Sequence, residues 1–297
     1  MTLFLLLPVV AAFLYALSSL FLKRGFVEGV GLTRTLFLSN MAMGLLIVVL
    51  IPFCVEPVQW NQIHLPIICA LFFFLGQTFT FVAIRVGDVS VVTPTMGAKV
   101  IVVALIASVF FDTELSAVGW VAVIIAGLSV ILLGISPGGA ANRKRGFAAV
   151  GWATLSLIFF AFSDNLVSAW APVFGRQGFV IAVFFFVAVF SFGLVPFFNE
   201  PLRRVPKKAW PWVTVGASIL GLQALLLNVA LTYEDPTVAN TLYSSRGFWG
   251  VVLVVFIGSL FGNRERYVPR IILVSRVAGS VMILISVYLL FFVAGVG

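Results

Sequence analysis

Three charged side chains stand deep inside apolar stretches of this chain: Lys99, Asp164 and Arg246. An ionised group at the middle of a bilayer costs several kcal/mol and as a rule faces a cavity or a partner. Lys99 and Arg246 each lie about ten residues into an apolar run, near 15 Å deep at about 1.5 Å per residue, close to the middle of a hydrocarbon core about 30 Å thick. Two fixed cations at one level suit an anion. Arginine offers a planar fork and lysine a compact point charge, and both match a phosphate or a carboxylate. The competing reading is structural, with the cations locking helices together. Asp164 is the only acid well inside an apolar run. Counted from Phe147 it lies about 25 Å deep, toward the other side and about 10 Å from the cation plane. It reads as a proton carrier or as a residue at a cavity mouth.

Polar residues on the same runs outline a cavity. Thr95 is four residues before Lys99 and Tyr243 three before Arg246, spacings that share one helical stripe. Gln77 and Gln223 occupy similar places in the third and eighth runs, and Tyr15, Ser19 and Asn40 add hydrogen-bonding groups. We expect Lys99, Arg246, Thr95, Tyr243, Gln77, Gln223, Tyr15 and Asn40 to bind substrate. The alternative for the neutral ones is interhelical hydrogen bonding, worth about 1 kcal/mol or less each. Pro94 is expected to kink the fourth run and free a carbonyl near the site. Arg276, about six residues from the preceding basic stretch, is expected to reach the interface.

These residues need elements to hold them, and composition says which. The chain has 297 residues, 62% of them hydrophobic and 9% charged, with a mean hydropathy of +1.19. Soluble domains are about 45–50% apolar and about 25% charged, so an ordinary soluble enzyme, a disordered chain and a secreted disulfide scaffold are excluded. At about 20 residues per crossing, ten apolar runs are read: 3–22, 33–54, 63–84, 89–111, 116–136, 147–171, 178–198, 211–233, 236–261 and 271–293. They are too long and too continuous for barrel strands. The fold class expected is an all-α polytopic membrane protein.

Of the 18 Lys and Arg residues, 14 fall in the odd-numbered connections, from Lys23 and Arg24 to Arg264, Arg266 and Arg270. Arg176 alone lies in the even-numbered ones. Basic residues stay in the cytoplasm, so both termini are expected outside, in a multi-pass plasma (inner) membrane protein. The formal charge of +8 then reports orientation, not nucleic-acid binding. The first run has no basic segment before it and Lys23–Arg24 after it, the reverse of a cleaved signal peptide.

The chain divides at a basic cytoplasmic linker, 137–146, into five-run halves, 1–136 and 147–297. A shift of 147 residues lays Ala83 on Ala230, Asp88 on Asp235, Val91 on Val238 and Lys99 on Arg246. Five crossings are an odd number, so the halves are inverted, an architecture that recurs in transporters with a midplane site. Residues 87–134 read Gly-Asp-Val-Ser-Val-Val-Thr-Pro-Thr-Met-Gly-Ala-Lys, then Asp-Thr-Glu-Leu-Ser, then a glycine-spaced apolar helix ending Leu-Leu-Gly. This resembles the first repeat of the EamA-like transporters of the drug/metabolite transporter superfamily. The second half departs from it: Arg-Tyr-Val-Pro follows Glu265 in place of the usual turn. The resemblance implies two inverted five-helix repeats and alternating-access transport of a small organic metabolite. The cation pair is similar to that of the phosphate-translocator and nucleotide-sugar relatives, although Ser245-Arg246 stands where the former carry Lys-Arg.

The leading expectation is therefore a secondary-active transporter of a small polar, anionic organic solute. The alternative is an exporter of amino acids or of cationic or amphipathic drugs, with Asp164 as counter-ion. A membrane enzyme acting on lipid phosphates would need clustered acids, histidines or a nucleophile. With one histidine, His64, and ten acids scattered mostly between runs, the chain lacks them. No catalytic residue, metal site or cofactor is expected, and Cys54 and Cys69 suggest no disulfide framework. No ATP-binding loop is present. The expected partners are the small-molecule substrate and the lipid bilayer. Small residues of the fifth run (Gly119, Ala122, Ala126, Gly127, Gly134) are expected to pack closely within the bundle or across a homodimer.

Overall fold

In a computed structural model, which describes residues 6–110, 116–133, 140–234, 236–262 and 270–289, the chain is all helix, with no strand among the described residues. The helices are α1 (Leu6–Val27), α2 (Leu32–Leu46), α3 (His64–Val86), α4 (Val89–Gly97), α5 (Lys99–Phe110) and α6 (Ala117–Leu133). They continue with α7 (Ala140–Phe174), α8 (Arg176–Ser191), α9 (Trp210–Tyr233), α10 (Pro236–Tyr243), α11 (Arg246–Ile257) and α12 (Arg270–Tyr288). Among the described residues six stretches are long and apolar enough to cross a membrane: Leu6–Val27, Leu32–Phe53, His64–Val86, Arg143–Phe174, Arg176–Phe197 and Trp210–Tyr233. This is consistent with an α-helical polytopic membrane protein. Helix is what the sequence must form there, since hydrocarbon offers free backbone groups no partner. The Asp112–Glu114 turn, the start of the linker at 134–139, Asp235 and Glu265 lie outside the described residues.

Several ends differ from the apolar runs, for local reasons. Helix α1 continues through Lys23 and Arg24, because cations are favourable in a last helical turn. There Lys23 donates from Nζ to the Ile84 carbonyl at 2.7 Å and to the Gly87 carbonyl, closing the C-terminal end of α3. Arg24 pairs with Glu28 at 2.5 Å. Helix α7 begins at Ala140, so the basic segment expected as linker is partly helical, with Arg143, Lys144 and Arg145 exposed on its first turns. Helices α2 and α8 end in 3-10 tails, Ile47–Phe53 and Phe192–Phe197, which contain Pro52 and Pro196. Proline lacks the N–H that would extend the regular ladder.

The fourth and ninth runs are each broken. Helix α4 stops at Gly97 and α5 starts at Lys99; α10 stops at Tyr243 and α11 starts at Arg246. The shift of 147 lays the start of α4 on that of α10, and the start of α5 on that of α11. Pro94 was expected to kink the fourth run; α4 runs through position 94 and the break falls at Ala98. There Ala98 donates its N–H back to Thr95 and accepts from Ile101, so the chain tightens locally.

The two breaks lie against each other. A Cβ on Gly97 would come within 3.0 Å of the Ser244 carbonyl, and one on Gly250 would overlap the Thr93 hydroxyl. Thr93 is itself held, donating to the Val89 carbonyl at 2.6 Å. Gly250→Ala is therefore expected to overpack the α4–α11 crossing and lower stability by about 1–3 kcal/mol, measured as a reduced unfolding temperature in detergent. Around this crossing α3 packs along α7 and α1 along α9, α2 crosses to α9 and α3 to α8, and α6 lies against α12. Buried Ala122 on α6 belongs to the main apolar core, which supports packing within the bundle at that position. Ala126 and Gly127 are described as helix only, and Gly134 lies outside the described residues.

Candidate functional site

The central cavity lies among α1, α3, α5, α7, α9, α10 and α11. Its walls include Tyr15, Gln77, Thr80, Lys99, Asp164, Gln223, Asn228, Tyr243 and Arg246, with Phe73, Phe81, Phe160, Leu220 and Leu227 supplying apolar surface. It holds about 450 Å³ of space between atoms, of which about 30 Å³ can be reached by the centre of a water molecule. That is a contracted space, and a solute of more than a few atoms requires the walls to part.

Lys99 and Arg246 both reach it from the first residue of a broken half-helix. Lys99 opens α5 and Arg246 opens α11, and they are only 3% and 2% exposed. Lys99 Nζ makes an ion pair with Asp164 Oδ2 and lies 5.2 Å from the Tyr243 ring centre. Arg246 lies 4.3 Å from the Tyr243 ring centre and 4.9 Å from that of Tyr15, close enough for cation–π attraction. Its Nη2 donates to the Met96 carbonyl beside the α4 break. Its Nε is buried with no hydrogen-bond partner. Among the described residues Asp164 is the only buried carboxylate. The cluster of Lys99, Asp164 and Arg246 thus carries one positive charge more than it balances. An uncompensated buried charge is strongly unfavourable.

Asp164 was expected about 10 Å from the cation plane, and the ion pair with Lys99 corrects that. Depth along an upright helix says nothing about the reach of a long lysine side chain across the α5–α7 contact. Seven of the expected residues line this one cavity: Tyr15, Gln77, Lys99, Asp164, Gln223, Tyr243 and Arg246. Thr95 does not. Its hydroxyl bonds back to the Val91 carbonyl at 2.8 Å, and the break at Ala98 takes it off the Lys99 stripe. Asn40 is not in the lining either. Its amide donates to Ser191 Oγ at 2.6 Å and its carbonyl accepts from Gln77 Nε2 at 2.7 Å, tying α2 to α8 and α3. Ser19 bonds back to the Tyr15 carbonyl. The side chain of Arg276 lies outside the described residues.

Thr80 and Asn228 line the cavity without having been singled out. Thr80 is three residues after Gln77, on the same face of α3, and that spacing was the available signal. Thr80 also shares a 2.6 Å hydrogen bond with Ser156 Oγ, joining α3 to α7. Among the described residues no three His, Cys, Asp or Glu side chains are placed to hold a metal ion.

One end of the bundle is fastened by a further ion pair. Arg176, the lone basic residue of the even-numbered connections, meets Glu56 Oε1 through Nη1 at 2.9 Å, and its backbone N–H donates to Glu56 Oε2 at 2.7 Å. Its Nε donates to the Thr232 carbonyl at the end of α9, 3.1 Å away. Gln177 beside it donates to Tyr233 Oη at 2.5 Å. Gly175 makes this turn with φ +106°, where an added Cβ would lie 2.9 Å from the Pro57 carbonyl, so glycine is required. The Arg176 backbone N–H, and after it the guanidinium, hold the Glu56 carboxyl below the usual glutamate range. A lowered carboxyl pKa stabilises the fold above the unfolded value and is lost as pH falls through the folded one. This fastening therefore weakens as pH falls below the usual glutamate range.

No family model and no curated protein matches the chain. A solved chain described only as "Crystal structure of protein" superposes on it with a TM-score of 0.61 at 17% identity, over 98% of this chain and 97% of that one. Similarity at that identity shows a shared fold alone.

Proposed function

We propose that the chain is a secondary-active membrane transporter of a small anionic organic metabolite, working by alternating access around the Lys99–Asp164–Arg246 cavity. The observation that carries this is the charge imbalance there: two cations, one carboxylate and a buried guanidinium Nε with no hydrogen-bond partner. An anion entering the cavity balances the cluster and accepts a hydrogen bond from that Nε. The pairing of Asp164 with Lys99 speaks against the exporter alternative, in which Asp164 would serve as counter-ion to a cationic cargo.

The alternating-access part rests on internal symmetry. With α4–α5 and α10–α11 each taken as one broken crossing, and the 3-10 tails added to α2 and α8, ten crossings result. Exchanging the halves turns the α3–α7 contact into α9–α1 and the α2–α9 contact into α8–α3, and it maps α6–α12 onto itself; all of these pairs occur. Two inverted five-helix repeats of this kind place a site at their interface, where one half can rock against the other. The likeness of residues 87–134 to the EamA-like repeat points the same way. The test is flux in liposomes holding the purified chain. Labelled carboxylates and phosphates should cross in wild type and not in Arg246→Gln. Absence of flux for every anion would refute the transport reading.

Under this reading the Glu56–Arg176 pair closes the outer mouth and must part for the cavity to open outward. We expect Glu56→Gln to speed labelling of a cavity cysteine, Leu227→Cys in a chain carrying Cys54→Ala and Cys69→Ala, by a membrane-impermeant maleimide. A severalfold increase fits a closure held by a partly exposed pair worth about 1 kcal/mol. An unchanged rate would remove the pair from the gate.

A further inference from the structure

We infer that the cavity takes a monoanion with an apolar body, a monocarboxylate, in preference to a dianion such as a phosphate monoester. This rests on the anion reading above and narrows it by counting charge and donors.

Lys99 is already matched by Asp164, so Arg246 supplies the one unbalanced positive charge. A monoanion brings the enclosed cluster to neutrality. A dianion would leave one negative charge in surroundings walled largely by Phe73, Phe81, Phe160, Leu220 and Leu227, where an unpaired charge is costly. The donors agree. Arg246 has Nη2 committed to the Met96 carbonyl and the guanidinium packed against Tyr15 and Tyr243. What remains without a partner is the Nε N–H, one charge-assisted donor for one oxygen of a carboxylate. The terminal oxygens of a phosphate would call on a second free cation, and Lys99 is not free. The phenylalanine and leucine walls accept a hydrocarbon body, and Gln223 and Asn228 offer amides at the margin for selection among bodies.

The experiment is calorimetric titration of the purified wild-type chain in detergent with hexanoate, adipate and hexyl phosphate. Hexanoate and adipate differ only by a second carboxylate, and hexyl phosphate has the same chain with a phosphate head. Hexanoate is expected to bind tightest, about tenfold or more over the other two, and to lose its binding in Arg246→Gln. Tighter binding of adipate or hexyl phosphate, abolished by Arg246→Gln, would overturn the monoanion inference and leave the anion site standing. Binding of none of the three, or equal binding in Arg246→Gln, would overturn the anion site itself and this inference with it.

Discussion

Replacing Arg246 by glutamine is expected to abolish anion binding while leaving a folded, membrane-inserted protein. Hydrogen bonds to a charged group are worth about 1.5–3 kcal/mol, so loss of the guanidinium corresponds to about ten- to a hundredfold weaker binding. The fold should tolerate the change, because the substitution removes the unbalanced charge of the cavity cluster. Arg246→Gln is expected to unfold at the same or a higher temperature than wild type in the absence of ligand. A variant that both binds anions and melts far lower would assign Arg246 to the structure, through its bonds to Met96 and its aromatic contacts.

Asp164→Asn is expected to do the reverse and destabilise the protein severely. Breaking a buried ion pair from one side leaves the other charge uncompensated, at a cost of about 3–5 kcal/mol. Here the stranded charge would be Lys99, at 3% exposure, next to an unbalanced Arg246. The double variant Lys99→Met/Asp164→Leu removes both charges in side chains of similar bulk and is expected to recover most of the loss. Unfolding temperatures of wild type, the single variant and the double variant, measured side by side in detergent, check this. Equal stability of all three would mean that the pair contributes nothing to holding α5 against α7.

What could be read from the chain and what could not divide along a physical line. Lys99, Arg246 and Asp164 were conspicuous because charge inside an apolar run has few explanations. Tyr243, Tyr15, Gln77 and Gln223 followed as polar groups on the neighbouring runs. The helices themselves were legible because a bilayer leaves the backbone no alternative. The breaks were not. Gly97-Ala98 and Ser244-Ser245 are small residues acceptable inside a continuous helix, and only the crossing of α4 over α11 shows why the chain must thin there. Thr95 was misplaced on the cavity stripe because that stripe assumes an unbroken helix. Asn40 was read as a ligand contact because sequence cannot show that Ser191 and Gln77 already satisfy it. Arg176 entered the sequence reading only as a lone exception in a count of basic residues. Its partner, Glu56, is 120 positions away, a pairing that no local pattern encodes.

The most direct measurement is a thermal-shift series on purified wild type and Arg246→Gln in detergent, against carboxylates, phosphorylated sugars, nucleotides, amino acids and quaternary amines. A ligand that binds only the folded state raises the apparent unfolding temperature. The cation-cluster reading predicts that anions raise it in wild type and not in Arg246→Gln, and that quaternary amines raise it in neither. Stabilisation by cationic or zwitterionic compounds alone, or by anions equally in both proteins, would contradict it and return Lys99, Asp164 and Arg246 to a structural role.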